Sequence, residues 1–212
     1  MDRVRCAAAA ALALGCRLAA GSALTDQLEA CAKERSLDGH KPIEVAAEGT
    51  AQVPFDAAYP LFCRPDVLAQ AQATYAQKQP DGHPPKFTVE QAGSNSFHFV
   101  NAEGQPSDVD ELRCIGAPAG GSLLVVFDSR GKRFFGSFEA LIGVQVQRQS
   151  ESTVSYSVCV YAYPDCGLVR VVGRHLPFIE SYFRHKTAKL IHTVESVAAA
   201  MCAAQQEPQD DD

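Results

Sequence analysis

Six histidines are the side chains best suited to move protons near neutral pH, but their spacing forms no recognisable catalytic arrangement. They are His40, His83, His98, His175, His185 and His192. His185 and His192 lie seven residues apart in a segment with helical periodicity, so they share one face, and Glu195 follows three residues later. The apolar stripe of that segment uses other positions, namely Phe183, Leu190 and Val194. The two histidines are therefore expected to point outward or to flank a groove.

Three acidic residues close together offer a second source of acid–base chemistry. Asp108, Asp110 and Glu111 fall in a strand-like segment, and the alternate members Asp108 and Asp110 share one strand face, where they could approach each other. A solvated strand edge explains the same spacing equally well. His98, between two phenylalanines of another strand-like segment, is expected to face away from them, toward the outside.

The chain has eight cysteines, and six remain if an N-terminal leader is removed. These six are Cys31, Cys63, Cys114, Cys159, Cys166 and Cys202. An even number could pair in an oxidising compartment, although spacing alone does not fix the pairing. Cys31 and Cys202 are one candidate pair, because they fall in the first and last predicted helices. Cys114 and Cys159 lie inside strand-like runs and are expected to be small buried residues.

Signatures of the commoner enzyme and metal sites are missing from the sequence. No Cys-x-x-Cys pair and no His-Glu-x-x-His string occurs, so zinc and thioredoxin-type chemistry have no support. No Gly-x-Ser-x-Gly motif occurs, and the step Gly120-Gly121-Ser122 lacks the helix that a phosphate cradle requires. The sequence therefore predicts no catalytic residue, no metal ligand and no cofactor.

Length and composition bound the class of protein. The 212 residues, 46% hydrophobic and 21% charged, suffice for one core, so we expect a single domain with tails. The net charge of -6 and the scattered lysines and arginines give no general attraction to phosphate backbones, which excludes nucleic acid as an expected partner. Beyond the leader, no stretch approaches the ~18 apolar residues that a membrane span needs, so no span is expected in the mature chain.

Residues 1–23 have the layout of an export signal. The basic segment Asp2–Arg5 precedes the apolar run Cys6–Gly15, and small residues follow up to Ala23, where cleavage is predicted. We therefore expect export, to the periplasm or the medium. Arg17 interrupts the apolar pattern, which keeps an organelle transit peptide or an untranslocated helix open as alternatives. A lipoprotein signal that uses Cys16 is a minor alternative.

The mature chain begins with a helix and a linker over 24–42 and changes period several times after that. A strand is predicted at Ile43–Val53, two short helices at Phe55–Ala76, and a long helix from Pro177 to about Ala204. An acidic tail covers 205–212. Between the helices, six strands are predicted at Lys86–Gln91, Ser94–Asn101, Asp108–Ile115, Ser122–Asp128, Arg133–Gln147 and Thr153–Tyr163.

Short connections make these six strands antiparallel neighbours, and alternation along the longest strand shows one buried face. One such connection is Asp128–Gly131. The buried face of the longest strand is predicted to carry Phe134, Phe138, Ala140, Ile142 and Val144.

This order of elements over 43–204 resembles the START-like, or helix-grip, superfamily, which includes polyketide cyclases and the birch-pollen allergen family. The join of Tyr161–Asp165 to Leu176–Phe183 looks like the last strand entering the gripping helix. The resemblance implies an α+β fold, in which a curved antiparallel sheet wraps around a long C-terminal helix. The glycine-rich loop common in the pollen branch is not evident here.

The resemblance also implies an apolar cavity between the sheet and the long helix. The residues expected to line it and to contact a ligand are Phe97, Phe99, Phe127, Phe134, Phe138, Tyr156, Phe178, Ile179, Tyr182 and Phe183. The expected function is binding or carriage of a hydrophobic small molecule, such as a lipid, a quinone or a polyketide-like compound. A cyclase or hydratase that acts within the same cavity, and an interaction scaffold without a ligand, are the alternatives.

Overall fold

A single seven-stranded antiparallel sheet forms the body of the molecule, and helices pack on both of its faces. The computed structural model describes residues 20–39, 41–64, 66–78, 87–101, 103–165, 177–188 and 191. The helices are α1 (Ala20–Glu34), α2 (Phe55–Phe62), α3 (Val67–Lys78) and α4 over 177–188. The strands are β1 (Ile43–Ala51), β2 (Phe87–Gln91), β3 (Ser96–Asn101), β4 (Pro106–Ala117), β5 (Ser122–Arg133), β6 (Gly136–Arg148) and β7 (Val154–Asp165).

The strand order is β1-β7-β6-β5-β4-β3-β2. Strands β2 to β7 form a meander in which each strand pairs with the next one, as their short connections require. Strand β1 instead pairs with β7, with Ile43 opposite Ala162 and Ala51 opposite Val154. The two edges of the sheet are therefore β1 and β2.

Alternate residues of the strands define two faces of this sheet. The front face carries Val125, Val144 and Val158 and packs against α2 and α4. The back face carries Leu124 and Leu141, among others, and packs against α1. The prediction of one buried face was therefore incomplete, because α1 adds a third layer and buries the other side of the central strands.

Helix α1 lies close to β6 because residue 143 is a glycine. A Cβ atom at Gly143 would lie 2.6 Å from Leu24 Cδ1 and 3.3 Å from Leu28 Cδ1. Leu24, Leu28 and Cys31 are buried against the sheet at this point. A side chain at position 143 would therefore push the helix away from the back face.

An ionic cluster holds the C-terminal end of α1. Arg35 forms ion pairs with Asp128 and with Glu139, the latter at 3.2 Å between Nε and Oε1. The Asp128 side chain is fully buried, and Arg130 Nε lies 3.4 Å from its Oδ2. Burial raises the pKa of Asp128 and Glu139 adds to the rise, while Arg35 and Arg130 act against it.

Helix α4 packs on the front face, so the architecture is the α+β helix-grip arrangement that the sequence predicted. Strand β4 contains a β-bulge between Glu111 and Arg113, a feature that bends and twists a sheet locally. No helix within the described ranges combines the length and apolar character that crossing a membrane requires. The predicted continuation of α4 to Ala204, the segment before residue 20 and the tail 205–212 lie outside the described residues.

One predicted connection was wrong. Residues 128–131 were expected to join two strands, but β5 continues through them to Arg133. The chain turns at Phe134 and Phe135 instead, since Arg133 pairs with Gly136. Gly136 has φ 118, a backbone conformation that favours glycine, and it permits this tight reversal.

Candidate functional site

Four of the predicted ligand contacts meet where α4 packs on the front face. Phe138, Ile179 and Phe183 are buried there, and Tyr182 is half-buried beside them. The ring centroids of Phe138 and Phe183 lie 5.8 Å apart in an edge-to-face arrangement. Phe135 lies 5.7 Å from the Phe183 ring and belongs to the same group, which we call the aromatic cluster.

Phe134 and Phe178 lie at the outer rim of the aromatic cluster. Their side chains are 68% and 49% exposed, and their ring centroids are 6.1 Å apart. Phe134 was predicted on the buried face of β6, and this was wrong because the turn between β5 and β6 directs it outward. Its neighbour Phe135 takes the buried position instead.

Arg133 places a charge at the polar side of the aromatic cluster. Its Nε donates a hydrogen bond to Tyr182 Oη at 3.0 Å, and its Nη2 donates to Ser107 Oγ at 2.6 Å. Its guanidinium carbon lies 5.0 Å from the centroid of the Phe138 ring. These contacts fix the guanidinium against the aromatic rings.

A second apolar group closes the other end of the front face. Phe55 of α2 is fully buried against Leu123, Val125, Val146 and Val154. We call this group the α2 cluster. It forms because α2 has its apolar residues on one side, toward the sheet.

The surface between these two clusters is apolar but only half-buried. Val144 and Tyr156 touch both clusters, yet neither side chain is buried, and the same holds for Phe127 beside the α2 cluster and Ile142 beside the aromatic cluster. These four residues belong to the adjacent strands β5, β6 and β7, where full burial would be expected in a closed core. We call them the central gap. The Tyr156 side chain packs directly over Gly49, because a Cβ atom at position 49 would collide with the Tyr156 hydroxyl.

Glu111 provides a carboxyl beside the central gap. It lies opposite Phe127 in the β4–β5 register, which puts it on the front face. Its side chain is half-buried, and burial raises its pKa. The sequence analysis named Glu111 only as a member of an acidic group and did not assign it to either face of the sheet. The register now sets it apart from Asp108 and Asp110.

Asp108 and Asp110 face the back of the sheet and already have partners. His98 Nδ1 lies 3.0 Å from Asp108 Oδ1, and Ser96 Oγ donates to Asp110 Oδ1 at 2.7 Å. Arg130 also pairs with Asp110. His98 thus faces away from the two neighbouring phenylalanines, as predicted. These groups form a surface ion-pair network rather than a site on the front face.

The remaining two predicted contacts, Phe97 and Phe99, lie on the front face of β3. Phe97 is 2% exposed, whereas Phe99 is half-buried and stacks on Phe87 with 5.6 Å between ring centroids. His185 is exposed on α4. Within the described segments, no group of three or more His, Cys, Asp or Glu side chains could hold a metal ion.

Sequence reasoning missed Phe135, Arg133 and Glu111 as front-face residues. Alternation did place Phe127 and Tyr156 correctly, because no irregularity separates them from the rest of their strands. The bulge after Glu111 and the turn at Phe134 and Phe135 each shift the alternation by one residue. A glycine directly after two phenylalanines was the one signal for that turn.

Comparisons with known proteins give matches in structure only. No protein-family model matches the chain, and no similar curated protein is found. A truncated norcoclaurine synthase from Thalictrum flavum superposes with a TM-score of 0.48 at 11% identity, over 78% of this chain and 94% of that one. A START superfamily protein from Mycobacterium smegmatis gives 0.44 at 5% identity, over 74% and 97%. A hypothetical protein from Helicobacter pylori gives 0.46 at 9% identity, over 81% and 92%.

The order of elements and the sheet topology define this chain as a START-like, helix-grip α+β fold, as predicted. At identities this low the solved structures carry over no ligand, activity or residue role.

Proposed function

We propose that this chain binds a hydrophobic small molecule in the central gap of the front face. The observation that supports the proposal is the half-burial of Phe127, Ile142, Val144 and Tyr156 at the centre of the sheet. A lone exposed apolar side chain needs no explanation, but four neighbouring ones between two packed clusters do. A ligand there would remove this surface from water, at about 25 cal/mol for each Å² of apolar area buried.

The shape of the surroundings favours a small molecule over a protein partner. The aromatic cluster and the α2 cluster stand at the two ends of the gap, and both include a helix that packs on the sheet. Sites for small molecules are concave, mostly apolar and equipped with few polar groups. Glu111 would be such a polar group, and burial raises the pKa of its carboxyl.

Filling the gap should abolish binding. The neutral fluorophore N-phenyl-1-naphthylamine serves as a probe, since its emission rises when it enters an apolar site. Val144→Trp should remove most of this signal while leaving the thermal unfolding of the protein cooperative. Ile115→Trp, which introduces the same side chain at an exposed back-face position, is the matched control.

Two results would contradict the proposal. The first is probe binding by the Val144→Trp variant at the wild-type level. The second is a native mass spectrum of gently purified protein without any bound compound, combined with no probe signal in the wild type. Equal loss in both tryptophan variants would point to unfolding rather than to a filled site, and unfolding curves distinguish the two.

A cyclase or hydratase activity in the same place is the second candidate, and Glu111 is the observation that favours it. A half-buried carboxyl with a raised pKa can act as a general acid or base. The compound that co-purifies with the Glu111→Gln variant should then differ from the product that the wild type releases, in mass for a hydratase and in chromatographic retention for a cyclisation that loses no water. An identical, unaltered compound in both proteins would leave binding without catalysis.

Export of the chain remains a proposal as well. A cut after Ala23 would leave Leu24 and Leu28, which α1 buries against the back face, in the mature protein. Mass spectrometry of the protein recovered from cell fractions would give the cleavage site, and an intact N-terminus in the cytoplasmic fraction would contradict export.

A further inference from the structure

Two cysteines from distant parts of the chain meet where α2 ends. Cys63, the residue that caps α2, and Cys114 of β4 have their Sγ atoms 3.6 Å apart, and both residues are exposed. Cys114 was predicted to be a small buried residue, and this was wrong. We propose that Cys63 and Cys114 form a disulfide bond that ties α2 to the sheet.

The fold itself brings the two sulphur atoms together. Tyr59, one turn before Cys63, donates a hydrogen bond from its hydroxyl to the carbonyl of Gly116 at 3.3 Å. The backbone N–H of Cys63 in turn donates to the carbonyl of Tyr59 at 3.2 Å. These bonds fix the end of α2 beside the end of β4. A disulfide then needs the two sulphur atoms to approach each other by about 1.5 Å.

The position of Cys114 depends on the bulge in β4. The shift of register between Glu111 and Arg113 turns Cys114 to the front face, opposite Val125, on the side where α2 packs. Without the bulge, regular alternation would point residue 114 to the back face and away from Cys63. The pairing of two cysteines that are distant in sequence is thus a product of this irregularity.

Thiol–disulfide exchange forms the bond in two balanced steps, with a small disulfide such as oxidised glutathione as the oxidant. Cys63 loses its proton and attacks the oxidant, which gives a mixed disulfide and releases one thiol. Partial desolvation and the neighbouring sulphur raise the pKa of Cys114 to about 12 in the reduced protein, so Cys114 is the less reactive thiol toward the oxidant. In the second step Cys114 gives its proton to a base in solution and attacks the Cys63 sulphur of the mixed disulfide, and the second small thiol leaves.

The bond would fix one end of the front face. It would close a loop that runs through α3, β2 and β3, and it would hold α2 and its buried Phe55 on the sheet. Cross-linking a loop of this length restricts the unfolded chain and so stabilises the folded one. Cys31 is buried and Cys159 is half-buried, so neither offers the same exposed contact.

Peptide mapping tests the bond directly. The purified protein is equilibrated with a mixture of oxidised and reduced glutathione, blocked with N-ethylmaleimide and digested with trypsin without reduction. We expect one disulfide-linked species that joins the peptides covering 36–78 and 114–130, each of which contains a single cysteine. Blocked thiols on both peptides, or bonds from either peptide to another cysteine, would overturn the proposal.

Thermal melts with and without reductant provide an independent measurement. Reduction should lower the Tm of the wild type by roughly 8 to 15 °C. Cys63→Ser and Cys114→Ser should each melt near the reduced wild type in both conditions, whereas the control Cys159→Ser should keep the full dependence on reductant. If reductant lowered the Tm of Cys63→Ser as much as it lowers that of the wild type, the proposed bond would be contradicted, even if another disulfide were present.

Discussion

At the residue scale, the direction of Glu111 decides its chemistry. It points to the front face beside Phe127, whereas Asp108 and Asp110 point to the back face, where Asp108 lies beside His98 and Asp110 accepts from Ser96 and pairs with Arg130. Three acidic residues that look alike in sequence therefore divide into two surface ion-pair partners and one partly desolvated carboxyl.

The raised pKa of Glu111 predicts a pH-dependent effect of Glu111→Gln. Because the folded state disfavours the charged carboxyl, the wild type has its full stability below the unfolded pKa of about 4.3 and loses part of it as the pH rises through the folded pKa. Glutamine carries no such penalty. The variant should be more stable than the wild type at pH 8, by less than about 1 kcal/mol since the carboxyl is partly solvated.

Urea denaturation at pH 4 and pH 8 checks this prediction. The difference between the two proteins should be present at pH 8 and nearly vanish at pH 4. Glu90→Gln removes an exposed carboxylate from β2 and controls for the loss of a charge alone. An equal difference at both pH values would mean that Glu111 is not desolvated in the folded protein.

The ion pair between Arg35 and Asp128 gives a second prediction at this scale. Arg35→Leu leaves the buried Asp128 with Arg130 as its cationic neighbour and with Glu139 close by. We expect a loss of roughly 1 to 3 kcal/mol at pH 7. The raised pKa of Asp128 should rise further in the variant, so the loss should shrink at low pH, where the carboxyl is neutral.

Chemical denaturation at pH 7 and pH 4 measures this change. Arg148→Leu, which breaks an exposed pair with Asp56 at 2.5 Å, should cost less than Arg35→Leu and serves as the control. If Arg35→Leu lowers the free energy of unfolding by no more than Arg148→Leu does, the pair between Arg35 and Asp128 does not stabilise the fold.

At the element scale, α1 is a docked helix whose position depends on one glycine. Gly143→Val should force Leu24 and Leu28 away from β6 and cost roughly 1 to 3 kcal/mol. Hydrogen exchange should show faster opening of α1 than of the central strands. Gly39→Ala has no atom within 4 Å of the new Cβ and is the control. Unchanged exchange in α1 would mean that the helix does not pack at this point.

Helix α4 is held by Phe183, which is 6% exposed and contacts Phe135, Phe138 and Tyr182. Phe183→Ala should cost roughly 3 to 5 kcal/mol, as truncation of a buried aromatic residue does. The free energy of binding N-phenyl-1-naphthylamine should decrease by less than the free energy of unfolding does. The reason is that Phe183 packs in the aromatic cluster and not in the central gap.

Urea denaturation of this variant and probe titration of its folded form separate the two effects. Phe178→Ala, at the exposed rim of the same helix, is the control. A loss below about 0.5 kcal/mol for Phe183→Ala would contradict the packing of α4 on the sheet.

At the scale of the whole molecule, periodicity predicted the strands, their antiparallel order and the helix on the front face. It did so because short connections leave a meander few alternatives. It did not predict the third layer, since the amphipathic pattern of α1 does not say which face of the sheet it covers. The half-burial of the central gap residues is equally hidden from the sequence, because inward aromatic residues look the same whether they are fully or only partly covered.

The pairing of β1 with β7 has a consequence for how the chain folds. Every other neighbouring pair of strands is joined by a short connection, whereas Ile43 must find Ala162 across almost the whole domain. Closing so long a loop costs entropy before any contact repays it, so we expect the hairpins of β5, β6 and β7 to form before β1 is added. In pulse-labelled hydrogen exchange during refolding, the amides of β6 should gain protection before those of β1. Simultaneous protection of both strands would mean instead that the sheet is assembled in one cooperative step that includes its most distant edge.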